Sequence, residues 1–130
     1  VTTLRRSIPA LEELTVKYGM SRKCQRIRAA DVPVLELENP DSEASKLIRV
    51  EIQEALDDDR SEAIVLGCAG MADLAAELSK EFGVPVIDGV SAAVKLVESL
   101  VALRLQTSKI NGYAFPRSKP YIGLFQTFQP

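Results

Sequence analysis

The chain has 130 residues, a formal net charge of −2 and no histidine, with 46% hydrophobic and 26% charged side chains. That composition suits one soluble globular domain and argues against disorder. It also excludes a general basic field for nucleic acid or an anionic membrane, a His-based triad, and any zinc site that needs histidine.

The opening Val1-Thr2-Thr3-Leu4 reads as the end of a strand followed by a helix start, as if the chain began in the middle of a larger protein. A helix is predicted over Ser7–Tyr18, with Ser7 as its cap, Pro9 in the first turn and Gly19 closing it. Cys24–Ala30 alternates loosely and predicts a short strand. Pro33 argues against a central strand in the segment that follows. After the turn Asn39-Pro40-Asp41-Ser42, a second helix is predicted over Ser42–Leu56, with Leu47, Ile48, Ile52, Ala55 and Leu56 as its apolar stripe.

Ala63-Ile64-Val65-Leu66 is a continuous apolar run, the pattern of a strand covered on both faces. A third helix carries Met71, Leu74, Ala75, Leu78 and Phe82, and Gly83 ends it. Val84-Pro85-Val86-Ile87 predicts another strand, and Asp88-Gly89 turns the chain into a fourth helix over Ser91–Leu105. That helix is apolar nearly all round, which predicts burial or an interface. Alternating helices and strands with short connections predict an α/β fold, a three-layer sandwich around a mostly parallel sheet. The tail from Gly112 holds Pro116, Pro120 and Pro130 among five aromatic residues and is expected to pack on a surface. The expected division is therefore an α/β domain over 1–111 and a C-terminal tail over 112–130.

Two charged clusters have bland readings. The basic residues from Arg5 to Arg28 are expected to form a solvated face. Asp57-Asp58-Asp59 is expected to be a solvated loop, since it lacks the glycine spacing of a calcium loop. No metal site is expected. No apolar run reaches the ~18 residues of a membrane span and no signal peptide is visible, so the two cysteines are expected as free thiols in the cytoplasm.

Ligands bind at the carboxyl ends of the strands in open parallel sheets. Three segments fall there: Thr2-Thr3, Gly67-Cys68-Ala69-Gly70 and Asp88-Gly89. Cys68 is the one strong nucleophile or base among them. It follows a strand and precedes a helix, whose first N–H groups would stabilise a thiolate. Gly67 and Gly70 would let the backbone approach a ligand closely, and the amides of Ala69 and Gly70 could hold a carbonyl or carboxylate. The competing reading of Cys68 is a small buried thiol that packs like alanine. Thr2 and Thr3 could border the pocket or cap a helix. Asp88 could face a substrate, but capping the last helix is the preferred reading. Cys24 belongs at the opposite end of the sheet and is read as structural.

The stretch from Ala63 to Met71 containing Gly67-Cys68-Ala69-Gly70, together with Phe82–Val90 containing Pro85-Val86-Ile87-Asp88-Gly89, resembles the aspartate/glutamate/hydantoin racemase superfamily, and within it the hydantoin and allantoin racemases. Val1-Thr2-Thr3-Leu4 and Ser7-Ile8-Pro9 resemble that family's mid-chain loop, so the likeness runs from Val1 to about Pro116. The resemblance implies one half of a pseudo-symmetric two-domain racemase that needs no metal or other cofactor. It implies that two cysteines flank the substrate: one takes a proton from a carbon next to a carbonyl and the other returns one on the opposite face. Cys68 matches the second of these cysteines, and the first would lie before Val1.

The implied partners are a small-molecule substrate (a hydantoin, allantoin or an amino-acid-like compound) and either further copies of the chain or a complementary first half. Nucleic acid and membrane are not expected, and the chain alone is expected to be inactive. Two other readings stay open: a cysteine-dependent decarboxylase or isomerase of the same superfamily, and a non-catalytic truncated product that keeps only the fold.

Overall fold

The computed structural model describes residues 1–128. Pro130, one of the tail prolines, lies outside the described residues. Chain contacts divide the protein into two compact units, Val1–Leu96 and Val97–Pro130.

The first unit is built on parallel extended chain. Strand β1 (Ile64–Leu66) pairs in parallel with β2 (Val86–Asp88), with Ile64 opposite Val86 and Leu66 opposite Asp88. The opening residues extend this sheet on the other side. The Val1 amino group donates to the Val65 carbonyl at 2.8 Å, and Gly67 N–H donates to the Val1 carbonyl at 2.7 Å. A further parallel bridge joins Thr2 to Ala29, with Thr2 N–H on the Arg28 carbonyl at 2.8 Å and Ala30 N–H on the Thr2 carbonyl at 3.1 Å. The spatial order is thus 28–30, then 1–3, then β1, then β2. Cys24–Ala30 is extended but contributes only this bridge, not the strand that its alternation predicts.

Helix α1 (Ile8–Lys17) follows a 3₁₀ turn at Arg5–Ser7. Ser7 does not cap it. Its Oγ donates instead to the Leu4 carbonyl at 2.6 Å, which closes the 3₁₀ turn. Pro9 occupies the first turn as expected, because its missing N–H costs nothing there. Helix α2 (Glu43–Asp57) is capped by Ser42, whose Oγ accepts from Ser45 N–H at 3.1 Å. Its spacing puts Ala44, Ile48, Ile52 and Ala55 on one buried face. The predicted third helix is two pieces, a 3₁₀ segment at Ala69–Leu74 and α3 (Ala75–Phe82). Gly83 ends α3 at φ 69°, a left-handed conformation that glycine adopts without strain. Ser79 on α3 accepts from Val86 N–H at 2.8 Å, which ties the helix to β2.

The core is the layer between α2, α3 and one face of the sheet: Ile48, Ile52, Met71, Leu78, Ile64, Leu66 and Val86. The other sheet face is open. Val65 is 61% exposed and Ile87 43% exposed, so β1 is covered on one face only. Its unbroken apolar run predicted two covered faces. Arg49 of α2 bridges to Glu77 and Glu81 on α3. These partners are half-exposed, and such pairs contribute little.

Most of both charged clusters is exposed as expected, including Arg5, Arg6, Arg22, Lys23, Asp57 and Asp58, but one residue of each is not. Arg28 is buried and pairs with Asp59 at 2.5 Å and with Glu54 at 2.6 Å, with Glu51 and Asp58 close by. Asp59 is therefore not a solvated loop residue, and Arg28 is not on a solvated face.

Helix α4 (Gly89–Ala102) has no buried residue, so of the two outcomes its composition predicted, burial within this chain is the one that is not met. The second unit contains 3₁₀ turns at Asn111–Tyr113 and Gly123–Phe128. Its aromatic residues Tyr113, Phe115, Tyr121, Phe125 and Phe128 are exposed. Among the described residues, no helix is long and apolar enough to cross a membrane.

Candidate active site

The parallel sheet brings the predicted strand-end segments to one edge. Val1 bonds to both Val65 and Gly67, so it lies opposite Leu66. Continuing that register puts Thr3 opposite Cys68, on strands that neighbour each other at about 4.8 Å. Leu66 is in turn opposite Asp88. Thr3, Cys68 and Asp88 thus lie on three adjacent segments at the same end of the sheet.

Cys68 has extended backbone, φ −143° and ψ 131°, and immediately precedes the 3₁₀ segment Ala69–Leu74. Its thiol is free and half-buried. Its carbonyl accepts from Met71 N–H at 3.1 Å. The sulfur makes no capping hydrogen bond to the turn that follows. The amides expected to point at it are not engaged with it. The first amides of a helical turn have no intrahelical partner, and none is found for Ala69 or Gly70 among the described residues. Both residues are exposed.

The threonines are buried, Thr2 at 3% and Thr3 at 5% exposure. Thr2 Oγ1 donates to the Gly67 carbonyl at 3.5 Å, and the Thr3 carbonyl accepts from Val32 N–H at 2.9 Å. Neither caps α1. Thr2 ties the first strand to the Cys68 loop, and Thr3 ties it to Val32 on the other side. Asp88 is buried, and its Oδ1 accepts from Ser91 N–H at 2.6 Å at the start of α4. That bond, chiefly, holds its carboxyl below the usual carboxylate range against the opposing effect of burial. Its capping role is therefore filled within the chain.

The glycines around Cys68 are there for space. A Cβ on Gly67 would stand 3.1 Å from Thr2 Cβ and 3.3 Å from the Val1 carbonyl oxygen. A Cβ on Gly70 would stand 2.6 Å from Val34 Cγ1 and 3.8 Å from Cys68 Sγ. Valine has few rotamers with which to retreat, so Gly70→Ala must push the 3₁₀ turn Val34–Glu38 off the Cys68 loop. The expected cost is about 1–2 kcal/mol, read as a lower thermal midpoint; an unchanged midpoint would contradict the packing.

Cys24 lies away from this edge, half-buried, with its thiol 3.9 Å from the Arg26 carbonyl. Cys68 is expected to react with iodoacetamide at least about threefold faster than Cys24 at neutral pH, because it immediately precedes a helical turn whose first amides have no partner among the described residues. Mass-spectrometric mapping of alkylation against time checks this. Equal rates would remove the case for an activated Cys68. Among the described residues, no group of three His, Cys, Asp or Glu side chains could hold a metal ion.

A cavity of about 660 Å³ lies under α1, lined by apolar Leu11, Leu14 and Ile27 and by charged Lys23, Arg26 and Arg60, and it reaches Thr2 and Gly67.

Residues 1–97 match the family model described as Asp/Glu/Hydantoin racemase. The hydantoin racemase of Rhizobium meliloti is 51% identical over 123 residues, which are 95% of this chain and 51% of that protein. The hydantoin racemase of Pseudomonas sp. (strain NS671) is 44% identical over 128 residues, 98% of this chain and 51% of that protein. Among solved structures, the allantoin racemase from Klebsiella pneumoniae superposes with a TM-score of 0.85 at 50% identity, covering 99% of this chain and 53% of that one. The allantoin racemase from Pseudomonas fluorescens gives a TM-score of 0.77 at 45% identity. The chain spans about half the length of the relatives it matches.

Proposed function

Because the chain belongs to the Asp/Glu/hydantoin racemase family, we propose that it supplies one face of a racemase site acting on hydantoin- or allantoin-type rings, with Cys68 as its acid–base group. The observation that carries this is the free, half-buried thiol of Cys68 at the carboxyl edge of the sheet, beside the unpaired amides of Ala69 and Gly70.

The chemistry follows from the geometry. A carbon flanked by a carbonyl loses its proton to a thiolate, and the electron pair moves onto the carbonyl oxygen. Backbone N–H donors stabilise that oxyanion best when they are fixed in advance. Ala69 and Gly70 supply two such donors on the loop that carries the base, and Gly67 and Gly70 keep it clear of side chains. The proton must return from the other face for the configuration to invert, so a second acid is required across the substrate. Cys68 is the one thiol at this edge, and the chain has no histidine. The second acid therefore comes from the half of the relatives' length that this chain does not span. In this reading the reaction uses no cofactor, and the free thiols suit a cytoplasmic protein.

The experiment follows loss of optical rotation of a 5-substituted hydantoin and of allantoin in deuterated buffer. The 130-residue chain alone is expected to be inactive. The chain completed to the relatives' length is expected to racemise one of the two with one solvent deuteron incorporated at the inverted carbon. Release of carbon dioxide would assign the site to a decarboxylase instead. Racemisation by the isolated chain would mean that a second acid lies within it.

A further inference from the structure

The geometry points to Val34 as the residue that meets the substituent on the carbon being inverted, and so to a substrate ring that carries an alkyl-type substituent rather than a polar one. This inference rests on the proposed proton transfer at Cys68 and adds the specificity of that same site.

The Gly70 loop places Val34 at the thiol. A Cβ built on Gly70 stands 2.6 Å from Val34 Cγ1 and 3.8 Å from Cys68 Sγ. One small space is therefore bordered by the valine methyl on one side and by the sulfur on the other. Apart from the residues that flank Gly70 in the chain, no other atom of the described residues lies within 4 Å of that point. The turn that carries Val34 is fixed at both ends. Before it, Val32 is buried, and its N–H donates to the Thr3 carbonyl at 2.9 Å. Pro33 then fixes the entry at φ −64°. After it, Leu37 is buried, and the Asn39 carbonyl accepts from Ser45 Oγ on α2 at 3.2 Å. Between these anchors Val34 remains 40% exposed. It is thus an apolar side chain with few rotamers, held in place and still open to a ligand beside the base.

Proton transfer brings the substrate carbon to within about 3–3.5 Å of the sulfur. The substituent is one bond from that carbon, so it must lie among the sulfur's neighbours. The proton and the substituent point to opposite faces of the ring. In the enantiomer whose proton faces Cys68, the substituent leans away from Val34. In the mirror image it leans toward the face that Cys68 and Val34 share. Val34 has no donor or acceptor, so it favours contact with methyl and methylene groups. Against a ureido group it would leave polar atoms without partners.

The test measures kcat and KM for each enantiomer of 5-methylhydantoin, 5-isobutylhydantoin and allantoin. It uses the chain completed to the relatives' length, with Val34→Ala and Val34→Thr as variants. Val34→Ala is expected to lower the kcat/KM ratio of 5-isobutylhydantoin to 5-methylhydantoin at least about fivefold, because only the longer substituent spans the wall. Val34→Thr keeps the shape and adds a hydroxyl. It is expected to lower the ratio of 5-isobutylhydantoin to allantoin at least about threefold. Two enantiomers have equal free energy, so a variant must change kcat/KM equally in both directions. KM alone can split, and Val34→Ala should raise it at least about threefold more for one enantiomer of 5-isobutylhydantoin than for the other. A purely structural role moves neither the ratios nor the split. Racemisation that falls alike on all three substrates, with both ratios unmoved, would overturn the inference and leave proton transfer at Cys68 standing. A completed chain that racemises none of the three would overturn the proton transfer itself, and the role of Val34 with it.

Discussion

Cys68→Ser, introduced in the chain completed to the length of its relatives, is expected to lower the racemisation rate by at least about a thousandfold. A thiol has a pKa of about 8.5 and is partly ionised at neutral pH, whereas a serine hydroxyl is not. The substitution changes one atom at a half-buried position, so the Cys68 loop and its Met71 N–H bond to the Cys68 carbonyl should persist. Loss of activity with an unchanged circular dichroism spectrum would therefore report on proton transfer rather than on folding. Solvent deuterium sharpens the result. If Cys68 serves only one face, the variant should lose deuterium exchange more severely from one substrate enantiomer than from the other. Retained racemisation, with both enantiomers exchanging at the rate of the unsubstituted protein, would show that the base is another residue.

The apolar runs at Ile64–Leu66 and Val86–Ile87 were legible as strands because each is short, β-branched and bounded by polar residues or glycine. The placement of Cys68 followed from them, since a residue just after a parallel strand must lie at the carboxyl edge. The capping of α4 by Asp88 was legible as well. Two kinds of feature were not. Spatial pairing of distant charges leaves no local signal: Arg28 and Asp59 are 31 residues apart, and each looks like part of a like-charged cluster. Burial of one strand face is also silent in the sequence. Val65 and Ile87 have the hydrophobicity of two-sided strands, yet the described chain covers only their neighbours. Ser7 illustrates a third difficulty, because its hydroxyl had two carbonyl and amide options within one turn and took the Leu4 carbonyl.

Arg28→Ala is expected to destabilise the chain by about 3 kcal/mol at neutral pH, the range found when one partner of a buried pair is removed. The argument rests on burial. The side chains of Arg28 and Asp59 are 8% and 10% exposed, so solvent screens them weakly. The variant strands Asp59 beside Glu51, Glu54 and Asp58, with only the more exposed Arg26 left to pair with it at 3.6 Å. By contrast Lys46→Ala, which removes an exposed pair with Glu43, is expected to cost under about 0.5 kcal/mol. The pH dependence gives a second signature. The hydrogen bond from Arg28, above all, holds the Asp59 carboxyl below the usual carboxylate range. A depressed folded-state pKa contributes stability that is present above the unfolded value of about 4. It is lost as pH falls through the folded value. Urea unfolding at pH 7 and at pH 3 should therefore show the deficit of Arg28→Ala shrinking in acid, as the stranded carboxylates take up protons. A deficit that is the same at both pH values would mean that Arg28 acts through its packing, and that the ion pair to Asp59 contributes nothing.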